Sequence, residues 1–244
     1  MAAVSYPLQL SIVIPAYNEA ARIRPTLEEY ASYFTEPYGD GFEIVVVLNG
    51  CTDDTRAVVE SVTQKAPQVR LIEFARPLGK GGAVWEGFAA ARGARLAFAD
   101  ADNMVRAPET QRLINALDDY DLAIGDRFGG GSSGGERPLS RRLASKAMRT
   151  WVRFFLGLRF QDTQCGAKAV RAPAWQALAP HLRERGWAFD LDLLANANRL
   201  GYNVAEVPVA WKHMEEGSKL RTWQAGPEAL FATLRIRRRQ GRGS

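Results

Sequence analysis

The sequence predicts an α/β fold with a mainly parallel sheet and helices on both faces. Three observations lead there. Apolar strands and amphipathic helices alternate through the first half, the pattern of strand–helix–strand units. Glu43 to Leu48 is an uninterrupted run, as expected of a strand covered on both sides. Each run closes in a polar or glycine-rich turn, and ligands of such sheets sit beyond the carboxyl ends of the strands.

The elements follow in order. Leu10 to Ile14 is β-rich and stops at Pro15. Glu19 to Phe34 places Ile23, Leu27, Tyr30 and Phe34 at helical spacing. After the strand Glu43 to Leu48, Asp53 to Lys65 reads as a helix with acidic residues in its first turn. Val69 to Phe74 is a third strand and Gly81 to Arg92 a helix. Leu96 to Ala99 is a fourth strand, Pro108 to Leu117 a helix, and Asp121 to Gly125 a fifth strand. A long helix from about Pro138 to Leu156 carries Leu143, Ala147, Trp151 and Phe155 on one stripe. Short elements then lead to a helix near Asp190 to Leu200, a strand near Val204 to Val209 and a basic, aromatic end.

Composition bounds the function. The chain has 244 residues, 46% of them hydrophobic, enough for one α/β domain or two joined lobes. A formal charge of +5 and a pI near 9.4 fit either a basic surface or an anionic partner. Two cysteines far apart, Cys51 and Cys165, make no disulfide framework and point to a reducing compartment. They and the two histidines have no familiar zinc spacing. No run approaches ~20 apolar residues, so no membrane-spanning helix is expected, and the N-terminus lacks the pattern of a signal peptide. Gly129, Gly131 and Gly134 match G-x-G-x-x-G by count. Arginines stand where the dinucleotide fingerprint wants an acid, so the stretch reads as a flap.

Four strand ends carry chemistry. Pro15-Ala16-Tyr17-Asn18-Glu19 offers Tyr17 to stack on a base and Glu19 to accept hydrogen bonds; the plainer alternative is a turn with Asn18 as helix cap. In Asn49-Gly50-Cys51-Thr52-Asp53, Asp53 either reads a base edge or sits at a helix N-terminus. The glycines of Leu78-Gly79-Lys80-Gly81-Gly82 let backbone N–H groups approach an anion. Asp100 and Asp102 follow the fourth strand at i, i+2. That spacing points both to one side, and their hard oxygens suit Mg²⁺ or Mn²⁺. Alone, Asp-x-Asp is a weak signal, common by chance, and reads first as a solvated loop.

Taken together and in this order, the four motifs resemble glycosyltransferase family 2 with its GT-A fold. Asp162-Thr163-Gln164-Cys165-Gly166, Trp187-Ala188-Phe189-Asp190 and Glu216-Gly217-Ser218-Lys219-Leu220 are similar to its dolichyl-phosphate β-glucosyltransferase branch, with polyprenyl-phosphate mannose synthases as relatives. The resemblance covers about residues 9 to 220. Asn49 stands where the family often has an acid, and Met104 where the mannose synthases carry a further metal ligand.

The resemblance implies one domain over residues 1–220, its nucleotide-sugar half to about 125 and its acceptor half about 126–220, followed by a basic amphipathic tail over 221–244. It implies an inverting transfer of glucose, or alternatively mannose, from a nucleotide diphosphate sugar (UDP-glucose, or GDP-mannose) to a polyprenyl or dolichyl phosphate. A soluble or glycan acceptor is the rival reading. The base lies against Pro15, Ala16, Tyr17 and Glu19, with Asn49 and Asp53 alongside. Asp100 meets the ribose and the ion, Asp102 is the main metal ligand, and Lys80 holds the diphosphate. Arg127, Arg141, Ser145 and Lys219 bind phosphates; Asp162 and Gln164 line the sugar pocket, although Asp162 reads equally well as structural. Trp187 and Asp190 shape the acceptor or sugar side. A phosphate acceptor is already anionic, so no general base is expected. The basic, aromatic helix and tail imply a peripheral place on an anionic membrane, at its cytoplasmic face, rather than a nucleic-acid partner.

Overall fold

The computed structural model describes residues 5–129, 139–211 and 222–241, the helical stretches 139–145 and 222–229 by their backbone. Seven strands form one sheet in the order β3-β2-β1-β4-β6-β5-β7. They are β1 (Leu8–Ala16), β2 (Phe42–Asn49), β3 (Val69–Phe74), β4 (Gly93–Ala99), β5 (Leu122–Asp126), β6 (Ala167–Arg171) and β7 (Val204–Pro208). All pairings are parallel except those of β6, which runs against both β4 and β5. The helices are α1 (Ile23–Tyr38), α2 (Thr55–Thr63), α3 (Lys80–Ala89), α4 (Ala107–Ala116), α5 (Leu139–Leu156), α6 (Ala172–Leu178), α7 (Phe189–Arg199) and α8 (Thr222–Gly241).

The sheet is covered on both sides, and β2 shows how. Ile44, Val46 and Leu48 join one apolar cluster with Ile23, Leu27 and Phe34 of α1 and Leu113 of α4. Val45 and Val47 join another with Val84 and Phe88 of α3, Trp175 of α6 and Phe189 of α7. Alternate side chains of a strand feed opposite faces, so every residue of β2 is buried.

Three expectations change. Residues 19–22 form a turn, and α1 starts at Ile23. Asn18 does not cap it; its backbone is left-handed (φ 54°), and its Oδ1 accepts from the Thr52 N–H at 2.7 Å. The strand β6 sits among the short elements of the second half. Its sequence, Ala-Lys-Ala-Val-Arg, holds one β-branched residue, and small alanines let it slot between β4 and β5. The third change concerns α5. Its inward stripe is Met148, Val152 and Leu156, one residue on from Ala147, Trp151 and Phe155. Ala147 is exposed, Trp151 and Phe155 are half-buried, and Phe154 is 81% exposed.

The basic end is α8, a docked helix. Ala232, Thr233 and Ile236 are buried, and Ile236 packs with Val152, Leu191 and Leu194. Arg235 and Arg239 pair with Glu184 from the rim of this interface, and Arg237 and Arg238 are exposed.

One buried carboxylate ties the amino end of the sheet together. Glu43 of β2 accepts from Ser11 Oγ (2.7 Å), the Arg92 N–H (2.8 Å) and Arg70 Nε (2.7 Å). Burial works to raise its pKa, but these partners outweigh burial and hold it below the ordinary glutamate value. A depressed folded pKa stabilises the fold above the unfolded value and loses that contribution as pH falls through the folded one. Glu43→Gln should therefore lower the unfolding free energy by ~1.5–3 kcal/mol at neutral pH. Urea titrations should show the gap to the unsubstituted protein narrowing below about pH 4.5.

Candidate active site

A cavity of about 320 Å³ opens beyond the carboxyl ends of β1, β2 and β4. The end of β1 and its turn supply Pro15, Ala16, Tyr17, Glu19 and Arg22; β2 supplies Asn49. The β3–α3 turn adds Pro77, Gly79 and Lys80, the end of β4 adds Asp100, Ala101 and Asp102, and Trp187 closes one side.

The carboxylate loop is built by α1. Thr26 Oγ1 donates to the Ala101 carbonyl and Tyr30 OH to the Val105 carbonyl, both at 2.8 Å. Glu29 accepts from Asn103 Nδ2 (2.6 Å) and the Ala107 N–H (3.0 Å). Positions 26, 29 and 30 share one helix face, so a single stripe of α1 grips the loop from 101 to 107. Asn103 turns the chain with a left-handed backbone, φ 56°.

Lys80 Nζ pairs with Asp100 Oδ1 at 2.6 Å and lies 5.3 Å from the Trp187 ring centroid. Burial disfavours the Lys80 charge, but Asp100, Asp190 and Asp102 together raise its pKa. Burial and then the charge of Asp100 raise the pKa of Asp102, with the Met104 N–H, Arg22 and Lys80 pulling the other way. Gly166 sits against this pair. A Cβ there would stand 1.7 Å from Asp100 Oδ2, so only glycine lets the segment pass.

The glycines of the β3–α3 turn do a different task from the one expected. The N–H groups of Gly82 and Gly81 donate to the carbonyls of Arg185 (2.7 Å) and Gly186 (3.2 Å). A Cβ on Gly81 would lie 2.2 Å from Phe189 Cβ. These two amides hold the segment before α7 and are not presented to an anion.

Of the residues singled out from sequence, Pro15, Ala16, Tyr17, Glu19, Asn49, Lys80, Asp100, Asp102 and Trp187 come together in the cavity. Asn49 also braces the β3–α3 turn: Oδ1 accepts from the Leu78 N–H (2.6 Å) and Nδ2 donates to the Gly79 carbonyl (3.3 Å). An ionised aspartate offers only acceptors, so asparagine suits this double contact. Asp53 is outside the lining. Its carboxylate accepts from the N–H groups of Thr55 and Ala20. Arg127 and Asp162 form a bidentate pair with each other, at 2.6 and 2.9 Å. Burial opposes the Asp162 charge, yet Arg127 lowers its pKa below the ordinary value. Asp190 is buried and pairs with Lys168 at 2.7 Å. Gln164 is exposed beside Asp162. The side chains of Arg141 and Ser145, on α5, and all of Lys219 lie outside the described residues.

Sequence reasoning passed over Arg22 and Gly166. Arg22 binds Glu19 through Nη2 (2.6 Å), and its Nη1 is buried with no hydrogen-bond partner among the described residues. The Glu-x-x-Arg spacing was the available signal. Nothing in the sequence alone could reveal the approach of Gly166 to Asp100.

Residues 11–174 match Glycosyl transferase family 2. The chain belongs to that family. This glycosyltransferase is 35% identical to the dolichyl-phosphate beta-glucosyltransferase of Saccharomyces cerevisiae, over 86% of its own length and 69% of the yeast protein. It is 34% identical to Glycosyltransferase AglD of Haloferax volcanii, over 86% of its own length but only 34% of that longer protein. Its fold is the GT-A-like one. It superposes on glucosyl-3-phosphoglycerate synthase from Mycobacterium tuberculosis, a complex with Mn²⁺, UDP-glucose and phosphoglyceric acid, with a TM-score of 0.69. That alignment has 21% identity and covers 94% of this chain and 80% of the other.

Gly166→Ala tests the geometry of this candidate site. The new methyl must push Asp100 aside, and a displacement of about 1 Å at a reacting centre costs ~10²-fold in rate. Turnover should fall by that order while circular dichroism keeps the native spectrum. Full activity in the alanine variant would mean that Asp100 has no fixed place to keep.

Proposed function

We propose that this glycosyltransferase transfers a hexose, glucose in preference to mannose, from a nucleotide diphosphate sugar to a polyprenyl or dolichyl phosphate, with inversion at the sugar carbon. An α-linked donor then yields a β-linked lipid phosphate. The observation that carries this reading is the 35% identity to a protein named dolichyl-phosphate beta-glucosyltransferase, extending over 86% of the chain. The cavity agrees with it in chemistry: an aromatic and acidic side for a nucleoside, and a cluster of Lys80, Asp100 and Asp102 for a diphosphate.

Asp100 and Asp102 fit a divalent cation. They are two hard carboxylates at one cavity wall, and no third acidic, histidine or cysteine group joins them among the described residues. That leaves room for diphosphate oxygens and water, the company that Mg²⁺ keeps. Bound there, Mg²⁺ or Mn²⁺ would offset the charge gathering on the leaving diphosphate. The protein's own part is placement. Lys80 balances Asp100 and gives a fixed cation beside the leaving group. Tyr17 and Glu19 face the nucleoside, with Asn49 bracing the turn beneath. Arg127 acts by holding Asp162 at the sugar side, and Asp190 acts through its buried pair with Lys168. Arg141, Ser145 and Lys219 are assigned to the acceptor phosphate on the family resemblance. A lipid phosphate is already an anionic nucleophile, so the chain needs no dedicated base.

No helix among the described residues is long and apolar enough to cross a membrane. A lipid acceptor calls for contact with a membrane surface, and the proposal is a peripheral place on an anionic, cytoplasmic one. The face of α5 with Lys146, Thr150, Trp151, Phe154 and Phe155 combines charge with aromatic anchors, as interfacial helices do.

The test is a panel of UDP- and GDP-sugars with Mg²⁺ and a short-chain polyprenyl phosphate, with products resolved by mass. A hexosyl polyprenyl phosphate from UDP-glucose, absent with EDTA, is the expected result. Transfer to phosphoglycerate with none to the lipid phosphate would overturn the acceptor assignment.

A further inference from the structure

The segment between α6 and α7 is held from two sides. On one side it builds the cavity. The carbonyls of Arg185 and Gly186 receive the N–H groups of Gly82 and Gly81, the Arg185 guanidinium lies 4.3 Å from the Trp85 ring centroid, and Trp187 lines the cavity next to Lys80. On the other side it is fastened to α8. The Glu184 carboxylate accepts from Arg235 Nη2 (2.6 Å), Arg235 Nε (3.2 Å) and Arg239 Nη2 (3.0 Å), all from α8. Asp192 of α7 completes the clasp, taking the N–H groups of Arg183 (2.6 Å) and Glu184 (2.9 Å) on Oδ2 and Arg239 (3.4 Å) on Oδ1.

We propose that Glu184 is a positioning residue, through which the docking of α8 sets the place of Trp187 and of the first turn of α3 that carries Lys80. Trp187 stands three positions after Glu184, a reach of ~10 Å of chain, and both ends of that reach are pinned. The segment has no regular secondary structure of its own between Leu182 and Trp187, so these side-chain and carbonyl contacts fix its path. Glu184 is well suited to the task. It is 9% exposed, and although burial opposes its charge, Arg235 and Arg239 lower its pKa below the ordinary value. Removing the arginines leaves the Glu184 carboxylate without its counterparts in a protected place, which costs more than breaking a surface pair.

The amides of Gly81 and Gly82 make the coupling measurable. The first N–H groups of a helix have no acceptor within the helix. Their protection from exchange therefore depends on the carbonyls of residues 185 and 186, whereas amides from Val84 onward depend on α3 itself. A general loss of stability would not single out the first pair.

The inference rests on reading the cavity as the nucleotide-sugar site, and the experiment keeps the two apart. Amide exchange is followed by NMR in the ligand-free full chain, for the native protein, Glu184→Gln, the double variant Arg235→Ala/Arg239→Ala, and the charge-retaining Arg235→Lys/Arg239→Lys. Exchange at Gly81 and Gly82 should rise about tenfold in the first two variants, with Val84 to Phe88 unchanged, and fall back in the lysine variant. UDP with Mg²⁺, titrated calorimetrically, should bind about tenfold more weakly to the same two variants. Faster exchange confined to α8, or spread evenly through the molecule, overturns the coupling. Native protein that ignores UDP sinks the donor-site reading, while the exchange data still decide the coupling. Should the double variant fail to fold, Glu184→Gln alone decides it.

Discussion

The ion pair between Lys80 and Asp100 is the contact on which the rest of the site depends. It joins the first turn of α3 to the end of β4 at 2.6 Å, beyond strands β3 and β4, which follow one another in the chain but are not neighbours in the sheet. Asp102 is close enough to feel the charge of Asp100 and to have its own ionisation opposed by it. Two carboxylates in a partly buried wall repel, and Lys80 supplies the cation that lets both stay. Its place is fixed in turn by the Gly81–Phe189 approach behind it and by the Trp187 ring beside it. Electrostatic preorganisation of this kind does its work without rearranging at the moment of reaction.

A second row of charges stands behind the first. Arg127 with Asp162 and Lys168 with Asp190 are paired, and Asp162, Lys168 and Asp190 are buried. Arg127, Asp162 and Asp190 came forward in the sequence as candidates for substrate contact; the structure pairs the first two with each other and the third with Lys168. Glu206 of β7 accepts from the Asp162 N–H at 2.9 Å, so the sheet itself braces the loop. These pairs tie the loop leading into β6 to the end of β5, and β6 itself to α7. In that loop Gly166 comes up to Asp100.

Much of this was legible beforehand. Six of the strands announce themselves by apolar runs, and the ends of β1, β2 and β4 carry the cavity's motifs, because a parallel sheet gathers its carboxyl ends at one edge. The strand β6 was not legible, since Lys168 breaks its apolar pattern for a partner, Asp190, that lies far along the chain. The stripe of α5 was misread by one residue for a related reason. Trp151 and Phe155 are the larger apolar groups, but the core takes Val152 and Leu156 and leaves the aromatics half-buried next to the exposed Phe154. Apolar residues that the core declines are informative about a second environment. The glycines of the β3–α3 turn were seen but their task was not. A glycine needed for close packing and one needed for an anion look the same in sequence.

In the proposed function, Lys80, Asp100 and Asp102 hold a metal-bound diphosphate. Calorimetric titration of UDP into the native protein, with Mg²⁺ and then with EDTA, tests it most directly, with Asp102→Asn as a parallel sample. The account predicts saturable binding that needs the ion and is weakened at least tenfold by the asparagine, a loss of about 1.4 kcal/mol. Binding of equal strength in EDTA and in the asparagine variant would contradict it.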